Sequence, residues 1–235
     1  MLEEGRVEKP VYFRYLTLMS YHVFIQENID VAIYEVGVGG EYDSTNIVDT
    51  PAVTGISHLG LDHTYTLGDT IDKIAWHKAG IQKESVPSFS VLQTFAAQMM
   101  IINRSQEKKV HSLRLLGVDP RLDDVCIEPH FEFQKFNASL AIALAGEVLS
   151  KIGILNWRYD FDTTRPLPEE FVKGLELVKW RGRCEEREDV DGDVTWYLDG
   201  AHTPDSMRVA AQWYNQASKN EYVFPPQSEY ISDAA

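Results

Sequence analysis

The chain has 235 residues and a net charge of −14, with 44% hydrophobic and 25% charged residues. That length suits one large domain or two small ones around a sizeable core, and the composition is that of an ordinary globular protein. The acidity argues against nucleic acid and anionic membrane surfaces as partners, because phosphate contacts need clustered Lys and Arg; it leaves room for a nucleotide, which feels its local site and metal more than the whole-protein field. Cys126 and Cys184 are far apart and outside any CxxC spacing, which argues against a disulfide framework or zinc site and for a reducing compartment. The acidic start Met1-Leu2-Glu3-Glu4-Gly5-Arg6 does not read as a signal peptide, and the apolar runs are too short to cross a membrane.

Taken in chain order, Val11 to Asn28 predicts a helix, with Tyr12, Leu16, Met19 and Val23 at helical spacing behind Pro10. Asp30 to Val36, Ala52 to Ser57 and Pro87 to Leu92 are short apolar runs of the kind buried on both faces in parallel sheets. Between the second and third, Asp69 to Ala79 predicts a helix with Asp69 as N-cap and Gly80 as stop. A helix over Thr94 to Glu107 and a strand over Val110 to Leu116 follow. Then come turn-rich Asp119 to His130 and a long apolar helix over Gln134 to Ile152. Leu155 to Glu170 reads as a linker, followed by a short helix, a strand at Val194 to Leu198, a helix at Pro204 to Ala217 and a loose tail from Ser218. The alternation defines an α/β chain with a central, mostly parallel sheet.

Four segments carry chemistry. In EVGVGGEYDSTN, Glu35 ends an apolar run and a glycine loop follows, at the sheet edge where open α/β folds bind ligands. Asp43, Thr45 and Asn46 add oxygen ligands; a tight turn with Glu35 in solvent is the plain alternative. The segment is no dinucleotide fingerprint, since Tyr42 stands where GxGxxG needs a third glycine. In LGLDHT, Asp62 and His63 fall at the same edge and suit a metal or proton transfer, or else a cap and a surface histidine. In IAWHKAGI, Lys78 at a helix end reads by itself as dipole complement. In LDGAHTP, Asp199 and His202 precede a helix N-terminus that favours anions, and WRGR offers Arg183 to a phosphate or base; a simple N-cap and a solvated arginine pair are the alternatives.

Together with FRYLTLMSYHVF and QKFNASLAIALA, these motifs resemble, in order and spacing, those of folylpolyglutamate synthases of the Mur ligase family, in their eukaryotic and fungal-like branch, over residues 10 to 215. The resemblance implies a ligase of folate and one-carbon metabolism. It would pass the γ-phosphoryl group of ATP to the γ-carboxyl of tetrahydrofolate or its polyglutamates, and L-glutamate would attack the acyl phosphate. The fold it implies is a Mur-type central domain over 1–165 and the start of a Rossmann-like glutamate-ligase domain over 166–235. It further implies Glu35 and His63 as magnesium ligands and Lys78 as a carbamylated support, making these three the catalytic group. Asn137, Arg183 and Asp199 would contact ATP, with His202 beside the phosphates. A monomer in the cytoplasm is expected, with a mitochondrial copy as the alternative.

The sequence departs from the family in one large respect: no Gly-Lys pair followed by Ser or Thr occurs in it, so the G-x-x-G-K-[ST] phosphate loop is missing. Glu132-Phe133-Gln134, His77 and Glu41 are smaller departures. The expectation is therefore a chain truncated at both ends, with an exposed sheet edge. It reads either as part of an active ligase or as a non-catalytic remnant; another Mur-type or dihydrofolate ligase is the remaining alternative.

Overall fold

The computed structural model describes residues 9–154, 157 and 164–218. Its centre is a three-stranded parallel sheet in the order β1 (Thr54–Ile56), β2 (Pro87–Val91), β3 (Ser112–Leu116). Ile56 lies opposite Ser90, and Ser90 opposite Leu115, in register. Helix α1 (Tyr12–Gln26) precedes the sheet; α2 (Thr64–Leu67) and α3 (Ile71–Lys78) join β1 to β2, and α4 (Phe95–Glu107) joins β2 to β3. Helix α5 (Glu132–Lys151) follows, then α6 (Glu169–Leu177), an antiparallel pair β4 (Glu185–Glu188) and β5 (Thr195–Leu198), and α7 (Pro204–Ala217).

Helices cover both faces of the sheet. On one side α5 lays Ile142 and Ala143 against Phe89, Val91 and Leu116, with Leu122 and Val125 from the turn-rich segment closing the cluster. On the other, Ala75 and Ala79 of the α3 end and Ala97 and Ile101 of α4 pack with Ile56 and Leu59. Small residues on the α3 and α4 surfaces let these helices approach closely. This two-sided cover is why β2 is a continuous buried run and not an alternating one. Helix α7 begins on a reciprocal cap: the Thr203 side chain accepts from Ser206 N–H, Ser206 answers to Thr203 N–H, and Pro204 fills the first helical position.

Most predicted elements stand within a few residues of their expected bounds, and three expectations need correction. Residues 30–36 form no strand. Their apolar character matches a buried strand, but no neighbouring strand supplies a ladder among the described residues, and Ile33 is 92% exposed. Tyr34 anchors the segment instead, stacking on Tyr21 at 4.8 Å and sharing a hydrogen bond with Ser20. Thr70, not Asp69, takes the N-cap position of α3, and Asp69 pairs with Lys73 one turn on. Strand β4 was not anticipated, because EERE lacks an apolar face; it exists through pairing with β5. Of the expected linker and tail, residues 155, 156, 158–163 and 219–235 lie outside the described residues.

Phe89, 1% exposed at the heart of the α5-facing cluster, sets the stability of this sheet. Phe89→Ala is expected to cost about 3–5 kcal/mol in urea unfolding, from lost transfer energy plus an unfilled cavity.

Candidate functional site at the carboxyl edge of the sheet

The glycine loop is fastened to the end of α3. Glu41 N–H donates to the His77 carbonyl at 2.8 Å, and the Asn46 amide donates to the carbonyls of Glu41 and Gly80 at 3.2 and 3.1 Å. A side chain at Gly40 would meet the His77 carbonyl oxygen at 2.6 Å, and one at Gly80 would lie 2.5 Å from Glu41 Cα. Gly80 is therefore a close-approach glycine and not the helix stop read from the sequence, while Gly40 adds a positive φ of 158°. Within the loop, Asp43 is fully engaged. One of its oxygens accepts from Gly37 and Val38 N–H at 3.1 and 3.0 Å, the other from Thr45 N–H and hydroxyl at 2.9 and 2.7 Å. Asp43, Thr45 and Asn46, read as ligand donors, thus brace the loop's own shape.

From behind, Glu41 is held by Arg104 and by Lys108, the latter at 3.0 Å. Arg104 is 2% exposed, also pairs with Glu107 at 2.6 Å, and lies 4.4 Å over the Trp76 ring. A buried guanidinium is tolerated only with such partners. Sequence reasoning missed this cluster; its faint signal is an arginine with a glutamate three residues on, within a helix that otherwise packs small residues.

Four of the singled-out side chains converge where β1 exits the sheet. His63 holds a left-handed conformation (φ 49°), and its carbonyl accepts from Thr66 and Leu67 N–H at 2.9 Å to start α2. Asp62 accepts from His63 N–H at 2.7 Å, and its other oxygen is 3.6 Å from His63 Nε2 and 3.3 Å from His202 Nε2. The two imidazoles lie 6.4 Å apart. Lys78 is half-buried; desolvation pushes its ammonium below the ordinary lysine value, and the Asp62 carboxylate opposes the shift. Burial works against ionisation of Asp62, but the His63 N–H bond and the two imidazoles outweigh it and hold the carboxyl below its usual range. The Gly200 carbonyl and then Asp62 raise His202.

Of the remaining expected site residues, Arg183 reaches this group, its charge opposing the rise at His202. Asp199 accepts from Cys184 and Ala201 N–H, both at 2.8 Å. Burial and the Asp199 carboxylate push the Cys184 thiol up to about 12. The Arg183 guanidinium covers the Gly200 turn, where an added methyl would meet it at 2.2 Å. Asn137 is exposed at the start of α5 and donates to Gln134 at 3.1 Å. Glu35 is exposed, and no hydrogen bond links it or Asn137 to the Asp62 group among the described residues.

Among the described residues no three His, Cys, Asp or Glu side chains form a metal cage. Magnesium keeps several waters and takes one or two protein ligands beside phosphate oxygens. Glu35 and His63 are exposed and of the donor types that sparse mode uses, but no hydrogen bond joins them among the described residues, and they would not hold a bare ion alone.

A helix-covered parallel sheet with a basic and acidic cluster at its carboxyl edge defines an α/β protein of the ligand-at-strand-ends type. No protein-family model matches the chain. A folylpolyglutamate synthase of Neurospora crassa is 55% identical over 206 residues, 88% of this chain and 38% of that protein. One from Saccharomyces cerevisiae is 45% identical over 206 residues, 88% of this chain and 37% of that protein. A solved FPGS–AMPPCP–folate complex matches with a TM-score of 0.69 and 28% identity, over 90% of this chain and 52% of that one. Over these residues the chain is similar to folylpolyglutamate synthases, and it spans 37–38% of the length of those curated relatives.

Three outcomes follow. Gly80→Ala forces Glu41 backbone off the α3 end and is expected to lower stability by about 1–3 kcal/mol in chemical unfolding. Lys78 has a folded pKa below its unfolded one, so the unfolded chain binds more protons between the two values and stability rises with pH across that window. Asp62→Asn removes the opposing carboxylate and is expected to move the Lys78 titration still lower in lysine-selective NMR; an upward move would contradict the geometry.

Proposed function

We propose that the chain supplies the ATP-binding part of a ligase that joins L-glutamate to the γ-carboxyl of tetrahydrofolate or its polyglutamates through an acyl phosphate. The observation that carries the reading is the gathering of Asp62, His63, Lys78 and His202 beside a glycine loop clamped on the α3 end. Similarity to folylpolyglutamate synthases, and the AMPPCP and folate bound in a matched FPGS, support the substrate class. Residues 1–165 form the ATP-binding domain in this reading and 166–235 begin the glutamate-ligase domain. Glu35 and His63 hold magnesium, which when bound neutralises phosphate charge. Lys78, kept half-buried and biased to its neutral amine, supports that site, its carbamylated form adding a carboxylate. Arg183 and Asn137 orient the nucleotide, Asp199 fixes the turn beneath it, and His202 donates toward its phosphates. No helix among the described residues is long and apolar enough to cross a membrane; the reading places the protein in the cytoplasm as a monomer, with a mitochondrial copy as the variant.

A second reading has its own observation. With no G-x-x-G-K-[ST] in the sequence, the backbone N–H cradle and lysine of a phosphate loop are absent from this chain, which makes it a non-catalytic remnant. ATP- and magnesium-dependent incorporation of labelled glutamate into tetrahydrofolate separates the two. The 235-residue chain assayed alone is expected to turn over far more slowly than an enzyme of the relatives' length; a comparable rate would sink the remnant reading. In such a longer enzyme carrying this segment, Lys78→Ala is expected to abolish incorporation and an added short carboxylic acid to restore part of it. Unchanged kinetics would remove Lys78 from the site.

A further inference from the structure

The loop that carries Asp62 and His63 leaves β1 at Ser57 and has few fixed points of its own. Gly60 faces open space, and Leu61, His63 and Thr64 are exposed. Yet His63 is held in a left-handed conformation that non-glycine residues rarely adopt, and such a conformation persists only where the surroundings over-determine it. Helix α2 fixes the far side of the loop through the His63 carbonyl. The near side is fixed by one side chain from outside it. Gln93, two residues beyond β2, accepts from Leu59 N–H through Oε1 at 3.0 Å. Its Nε2 donates to the Ser57 carbonyl at 2.9 Å and to the buried Ser90 hydroxyl at 3.3 Å. Ser90 is itself in register with Ile56, so Gln93 bridges the ends of both strands.

We propose that Gln93 is a positioning residue for the site: it clamps the β1 exit so that Asp62 and His63 stand at a fixed height over Lys78. The assignment rests on the magnesium-ATP reading for what the height is used for, but the clamp itself stands on the hydrogen bonds. Both amide groups are required. Leu59 needs an acceptor, whereas Ser57 and Ser90 take a donor, and a primary amide presents one acceptor oxygen and two N–H donors at a single tip, enough for all three. Leu59 is buried in the α3–α4 core, so the clamp ties the site loop to the packed interior and not merely to another loop.

The test uses the 235-residue chain with Mn2+ and ATP, the nucleotide's phosphates supplying the ligands the exposed side chains lack and Mn2+ serving as a paramagnetic probe of the metal position. Backbone hydrogen exchange at Leu59 and Mn2+-dependent broadening of the His63 ring signals are followed in the native chain, Gln93→Leu and Gln93→Glu. In Gln93→Leu, Leu59 exchange is expected to accelerate at least tenfold, and the Mn2+ concentration that half-broadens His63 to rise about tenfold, the lower end of the usual effect of removing a residue that orients a metal ligand. In Gln93→Glu, Leu59 keeps its acceptor and its protection, but the lost donor to Ser57 still raises the Mn2+ requirement. This pattern is one a merely stabilising side chain would not give. Should Gln93→Leu fail to fold, Gln93→Glu decides alone. Native Leu59 exchange and native broadening in Gln93→Leu, or native broadening in Gln93→Glu, would overturn the assignment. A native chain whose His63 ignores Mn2+ would instead bring down the metal reading, and faster Leu59 exchange in Gln93→Leu would still establish the clamp.

Discussion

Glu41 N–H bonded to the His77 carbonyl, with Gly40 and Gly80 pressed against the opposing backbones, is the contact on which the geometry of the site depends. It joins two segments that lie far apart in the chain: the loop entered from Glu35 and the helix end that carries Lys78. Backbone-to-backbone contact at this distance leaves no room for any β-carbon, so the relative height of the two segments is set by covalent geometry and not by adaptable side chains. The Asp43 bracing then gives the loop a single shape to present to that contact.

Placing a glycine loop against a helix end brings a carboxylate, Glu41, into a partly buried position. An isolated buried carboxylate would cost several kcal/mol, so the fold answers it with Arg104 and Lys108 from α4. Arg104 creates the same problem in turn, being nearly inaccessible, and Glu107 and the Trp76 face share in answering it, while its Nε stays without a hydrogen-bond partner among the described residues. The result links α3, α4 and the glycine loop in one charge network. Its contribution is specificity of docking more than net stability, since removing a single partner strands another charge. That asymmetry explains how an acidic chain comes to keep two of its cations on the inner side of its site.

The sequence made the covered sheet legible because β1 and β2 fall in short, mostly apolar runs, α5 is a long apolar stretch and α7 opens on a cap. It misled at residues 30–36, where Ile33 and Val31 read as core yet have no ladder partner: composition reports what a segment tolerates, and pairing is a property of its neighbour. The same limit hid β4, whose charged residues are a strand only because β5 lies beside them. At the site, Asp62, His63, Lys78 and His202 were legible as motif residues, and their convergence is a fact of topology. Gln93 carried no readable signal and Arg104 only the faint one of a glutamate three residues on, since each acts by bridging elements that one-dimensional spacing does not bring together. Asp43 shows the reverse error: a well-placed oxygen donor in the sequence becomes, in three dimensions, an acceptor already saturated by its own loop.

Lys78 does not sit in a simple ion pair, and its surroundings bear on the proposed metal-and-phosphate reading. A lysine at a helix end gains from the dipole when its ammonium is solvated, but here α3 ends against the glycine loop and desolvation outweighs the one carboxylate that faces it. The balance raises the share of neutral amine, the form able to take up carbon dioxide as a carbamate. A carbamate there would replace a partly desolvated cation with an anion. Asp62, meanwhile, is shared with both imidazoles and is poorly placed to give up an oxygen of its own. In the proposed reading the burial of Lys78 and the engagement of Asp62 go together: Asp62 is occupied with the two histidines, and the negative charge for a cation would fall to Glu35 and to a modified Lys78.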